Sequence, residues 1–173
     1  MSTILIAAIL IAMTVIPSFI FIRLHNKREK KQREALLKQF TDAGVKHNLL
    51  FTHREMLKDK MLGLDAARQK LLVFPGDATD TELVVDLAGM ETCTVHKEYS
   101  NFILSDTKIA QTDRVLTQIE LKIEFSTNTH PLLMGFFDNR INDIYEMQAL
   151  EKKAKEWAGF IVQATAGEKS NRA

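Results

Sequence analysis

Residues 3–22, TILIAAILIAMTVIPSFIFI, carry no charged side chain. Wound as a helix rising ~1.5 Å per residue, this run would be ~30 Å long, the thickness of a bilayer's hydrocarbon core. A core helix of a globular domain would be shorter and would show a polar stripe; here every face is apolar. Pro17 stands near the far end of the run, where a membrane helix tolerates the lost backbone bond. A cleaved signal peptide would place basic residues ahead of the run and an Ala-x-Ala site behind it. In this chain the basic residues follow. The sequence therefore predicts a retained transmembrane anchor over residues 1–22, in contact with the lipid bilayer through residues 3–22.

Charge asymmetry predicts its orientation. Between residues 23 and 43 stand Arg23, Lys27, Arg28, Lys30, Lys31, Arg33 and Lys38, opposed by Glu29, Glu34 and Asp42, a net of +4. No Lys or Arg precedes the run. By the positive-inside rule the C-terminal part faces the cytoplasm and the N terminus lies outside. From Gly44 onward 16 basic and 19 acidic residues give a net of −3. That mild acidity argues against sequence-independent nucleic-acid binding, which needs a basic face. A lone cysteine, Cys93, precludes an internal disulfide. The absence of any Asn-x-Ser/Thr sequon agrees with a cytoplasmic domain.

Residues 23–44 read as a basic juxtamembrane helix, with Ala35, Leu36, Leu37, Phe40 and Ala43 on one face and Gly44 as its stop. A globular domain over residues 45–165 and a polar tail over 166–173 follow. Short strands are predicted at 48–55, 60–65, 70–74, 82–87 and 92–97, separated by turn-forming stretches. The clearest is 115–125, where Ile119, Leu121, Ile123 and Phe125 alternate with Gln118, Glu120, Lys122 and Glu124. A return strand follows over 130–137, with Gly135 marking a bulge or bend. Asn139 is expected to open a final helix, with Ile144, Met147, Leu150, Ala154, Trp157, Ala158 and Ile161 forming its apolar stripe.

Seven short strands and one amphipathic helix, with Trp157 on the helix's inward stripe, resemble the pleckstrin-homology-like superfamily over roughly residues 48–164. The arrangement is also similar to small bacterial proteins that pair one N-terminal membrane helix with such a domain. The resemblance implies an α+β chain: transmembrane helix, juxtamembrane helix, then a seven-stranded antiparallel barrel or sandwich capped by the C-terminal helix. Phosphoinositide-binding members carry a basic motif around the first hairpin. Here the matching stretch holds Arg54, Lys58 and Lys60, diluted by Glu55 and Asp59. With Arg23, Lys27, Arg28, Lys30, Lys31 and Arg33 these are the lipid-headgroup candidates.

Catalytic and cofactor signatures are missing from the sequence. No phosphate-cradling glycine motif or nucleophile elbow occurs. His53 and Glu55 form a His-x-Glu pair without the Cys pair that would complete a zinc site. Cys93, flanked by threonines on a strand, reads as a packing residue. We expect a non-enzymatic interaction or scaffolding domain without cofactor or metal, binding another protein or its own copy. A sensor of anionic lipid headgroups is the alternative, and an enzyme the third reading. A reporter that fluoresces only in the cytoplasm, fused after Ala173, should light up; an active alkaline phosphatase fused there would reverse the orientation.

Overall fold

The computed structural model describes residues 30–31, 33–76, 81–103, 112–126 and 130–169. The expected anchor, together with Arg23, Lys27 and Arg28, lies outside the described residues. The chain divides into two compact units, Met1–Ala43 and Gly44–Ala173. Helix α1 covers residues 33–46. It runs past Gly44, because Asn48, at φ +54°, supplies the left-handed residue that closes it. Asn48 N then donates to Val45 O and Leu49 N to Gly44 O, at 3.0 and 2.8 Å. Gly44 answers a different need: a Cβ there would come within 2.6 Å of the Phe51 ring.

Strands β1 (His53–Met56), β2 (Lys60–Asp65), β3 (Lys70–Pro75) and β4 (Leu83–Asp86) form one antiparallel sheet in the order β1-β2-β3-β4. A second antiparallel sheet contains β5 (Met90–Ile103), β6 (Thr112–Phe125) and β7 (Leu132–Asp138), in the order β5-β6-β7. A short 3-10 turn, Ile144–Glu146, leads into helix α2, Met147–Lys169. The fold is therefore α+β, and the expected architecture needs two corrections. The seven strands make two separate sheets of four and three and not one closed barrel. Between β4 and β5 the chain leaves the first sheet through a corner at Gly89, whose φ of +84° suits glycine. Ser126 N and Oγ hold that corner by donating to Gly89 O. Second, among the described residues no helix is long and apolar enough to cross a membrane; the transmembrane helix is no part of the described architecture.

One apolar core joins both sheets to α2. Leu62, Leu64 and Leu71 come from the first sheet; Ile119, Leu121, Ile123, Met134 and Phe137 come from the second. Ala154, Trp157 and Ile161 of α2 complete it. Ion pairs set the helix over both sheets. Lys153 meets Glu55 of β1, and Glu151 meets Lys97 of β5 at 2.8 Å. His53 lies face to face with Phe160 of α2, ring centroids 3.9 Å apart. His53 and Glu55 thus point to one side by strand alternation, and both serve helix docking.

Asp65 is the one buried charged side chain among the described residues. Its carboxylate accepts Leu50 N (2.8 Å), Arg68 N (3.0 Å) and Arg68 Nη1 (3.0 Å), tying the chain before β1 to the β2–β3 turn. Burial alone would raise its pKa, but those donors outweigh it and hold the carboxyl below the usual range.

Trp157 is 2% exposed and meets Phe160 edge-on at 6.4 Å. Trp157→Ala should destabilise the protein by ~3–5 kcal/mol. Chemical denaturation checks this; a loss under about 1 kcal/mol, typical of surface sites, would contradict the packing.

Candidate functional site

The β6–β7 pairing contains the irregularity that Gly135 signals in the sequence. Ile119 pairs with Phe137, but Glu120 pairs with Gly135, so Phe136 is an extra residue on β7. The bulge lets Phe136 and Phe137 both enter the interior, 3% and 2% exposed, although consecutive strand residues ordinarily face opposite ways. It also leaves Gly135, with no side chain, on the outer side of the sheet opposite Glu120.

A cleft of about 210 Å³ opens at this point. Asp59 and Lys60 from the β1–β2 turn, Gln118 and Glu120 of β6, and Asp138, Ile141 and Asn142 form its walls. Lys60 Nζ pairs with Asp59 at 2.8 Å and lies 3.9 Å from where a Cβ on Gly135 would stand. The Asp138 carboxylate accepts Arg140 Nη2 (2.6 Å), Arg140 N (2.9 Å) and Gln118 Nε2 (3.2 Å). The Arg140 side chain foremost, then its backbone N–H, hold the Asp138 carboxyl far below the usual carboxylate range. Glu120 differs: among the described residues it has neither a hydrogen bond nor an ion pair.

Beside the cleft, the segment between β7 and α2 is held by its own polar groups. Asn142 Oδ1 accepts Asp138 N (3.0 Å), and Asp138 O accepts Ile141 N and Asn142 N. Asp143 and Glu146 make a capping box. That cap, at Asp143 and not at the expected Asn139, starts a 3-10 turn. Ile144 is thereby rotated off the α2 stripe. Ile141, Ile144 and Tyr145 stand 45%, 65% and 90% exposed on this braced segment.

Six of the lipid-headgroup candidates lie among the described residues. Arg54 lies exposed on β1, its guanidinium 5.5 Å from the Phe51 ring centroid. Lys58 Nζ donates to Ile141 O at 2.7 Å, and Lys60 is committed to Asp59. Lys58 and Lys60 thus both adjoin the cleft, while Arg54 lies beside Phe51. Lys30, Lys31 and Arg33 are exposed. Burial pushes the Cys93 thiol up to about 11, leaving it protonated and unreactive at neutral pH. Among the described residues, no group of three His, Cys, Asp or Glu could hold a metal ion. The chain matches no family model, no curated protein and no solved structure.

The Asp138–Arg140 pair makes a pH-dependent prediction. A carboxyl depressed in the folded state contributes stability in full above its unfolded value of ~3.9 and loses it as pH falls toward the folded value. Arg140 is mostly in water, so screening limits the effect. Asp138→Asn should cost about 1–2 kcal/mol at neutral pH. The gap from wild type should narrow below about pH 4. Urea titrations at several pH values read it; a gap unchanged into strong acid would show that ionisation contributes nothing.

Proposed function

We propose that this chain is a non-enzymatic protein-interaction domain held at the cytoplasmic face of a membrane, with Ile141, Ile144 and Tyr145 as the centre of its docking face. The observation that carries the reading is the exposure of three large apolar side chains on one segment braced by hydrogen bonds. Scattered single hydrophobics are ordinary on a protein surface, whereas a group of them marks a contact site. The bracing means that a partner meets an already ordered surface and does not have to offset the cost of ordering it. The membrane placement rests on the uncharged residues 3–22 and the basic residues after them. The scaffold is a four-stranded antiparallel sheet, a three-stranded one and a C-terminal helix. Such a scaffold hosts many binding roles and dictates none.

Incorporating a photo-crosslinking amino acid at Tyr145 of the full-length chain, in cells, tests the proposal. Discrete light-dependent adducts should form, and Ile144→Ser should remove them while changing stability by no more than about 0.5 kcal/mol. The same probe at Lys152, exposed on α2, is the control. An adduct pattern shared by both positions, or none at Tyr145, would overturn the docking face.

A further inference from the structure

We propose that β5 pairs with β5 of a second copy of this chain, antiparallel about a two-fold axis at Lys97, so that the second sheets of two copies join into one continuous sheet. The proposal concerns the edge of that sheet remote from β7. It stands whether or not Ile141, Ile144 and Tyr145 receive a partner.

Edge strands offer unpaired backbone groups to any passing strand, and proteins guard them by shortness, bulges or charge. β1 and β4 are four residues each. β7 is interrupted by its bulge at Phe136. β5 differs: it is 14 residues long, contains no proline, and among the described residues is laddered to β6 alone. Its extra residue, Glu91, stands at its start, and the irregularity between Glu98 and Tyr99 inserts Thr117 on β6, so β5 runs regularly from Thr92 onward. Glu98 O faces β6, where it accepts Thr117 Oγ1 at 3.1 Å. Alternation then turns the backbone N–H and C=O of Val95, Lys97 and Tyr99 away from the sheet. Lysine commonly guards such an edge, but Lys97 Nζ is drawn to Glu151 of α2 at 2.8 Å.

The side chains select a second copy as the occupant. With Lys97 opposite Lys97 of the other copy, Val95 faces Tyr99, His96 faces Glu98 and Thr94 faces Ser100, and the two-fold axis makes each pair twice. An aromatic ring against a β-branched side chain, an imidazole N–H against a carboxylate and hydroxyl against hydroxyl are cross-strand pairs that stabilise antiparallel sheets. The groups are available. Thr94, His96, Glu98 and Ser100 are exposed, and Tyr99 is 52% exposed. Within one copy His96 lies across from Glu120 and Glu98 across from Gln118, with no hydrogen bond or ion pair between the side chains of either pair. The two central lysines are like charges, but each is matched by Glu151 of its own chain. Moving the axis to His96 would set His96 against itself and Lys97 against Val95, and all three matches would be lost.

The test uses the full-length chain carrying Cys93→Ala, in unfractionated cell extract, as two differently tagged copies with Thr94→Cys or Ser100→Cys. In the proposed register these two positions face each other at ~5 Å. Each lies about 20 Å from its own equivalent, six residues along the strand. A disulfide spans only the shorter distance, so mild oxidation should link the mixed copies at least about tenfold more efficiently than either copy alone. His96→Lys sets an ammonium against Glu98 and should keep or raise the yield. Glu98→Lys sets it against His96 and should lower the yield about fivefold. Both positions are exposed, and thermal melts matching the parent chain verify that the two variants fold. No mixed dimer, equal linkage in single-copy extracts, or the same response to both lysines would overturn the proposal. Linkage to a protein of different mass in place of the dimer would also overturn it and give the edge to another partner.

Discussion

The apolar stripe of α2 is the contact on which the rest of the domain depends. Two sheets linked through the corner at Gly89 each have an inner face to cover, and both faces contribute to one core. Ala154, Trp157 and Ile161 belong to the core that both faces share, so the helix makes one hydrophobic interior from two. Direction comes from polar contacts at its flanks: Lys153 to β1, Glu151 to β5, and Gln69 Nε2 to Ala164 O near its end. Exposed ion pairs of this kind contribute only ~0–1 kcal/mol each. Their effect here is to choose among orientations that the apolar stripe alone would leave nearly equal.

β7, which also packs against α2, fills one corner of that shared core. The bulge at Phe136 does this by turning two successive aromatic rings inward. Filling that corner has a consequence on the opposite surface, where Gly135 stands without a side chain and a cleft remains. Core packing and the candidate site are thus two faces of one irregular strand. This fits the general concentration of β-bulges near binding sites, where an extra residue re-aims its neighbours.

Most of the domain was legible in the sequence because its signals were local and strong. Alternation from Gln118 to Phe125 marked β6, and Gly135 marked the bulge. Residues 60–65, 70–74 and 82–87 fall on β2, β3 and β4, bounded by the turns that separate them. Legibility failed where long-range geometry decides. Residues 48–52 carry strand-like side chains, but Asn48 closes a helix and only 53–56 find a partner strand. The sequence left barrel and sandwich open, and the division into sheets of four and three strands, with Gly89 at the corner between β4 and β5, is set by pairing that no local signal shows. Ile144 kept the three-and-four spacing of the stripe, yet a 3-10 turn advances by a different angle and carries it outside. Arg54, Lys58 and Lys60, diluted in the sequence by Glu55 and Asp59, take partners that the sequence does not show: the Phe51 ring, Ile141 O and Asp59. The cleft itself has no sequence signature, since its walls come from positions about 80 residues apart.

Two carboxylates show how the fold separates structural charge from available charge. Asp65 is fully buried, and a carboxylate in such a place persists only when donors surround it; Leu50 N, Arg68 N and the Arg68 guanidinium do so. Its bonding capacity is spent on holding a loop to a turn. Glu120 sits half exposed on a strand with Gly135 across from it on β7, and water can still solvate it. Leaving it there costs the folded state little, because a half-exposed charge keeps most of its hydration.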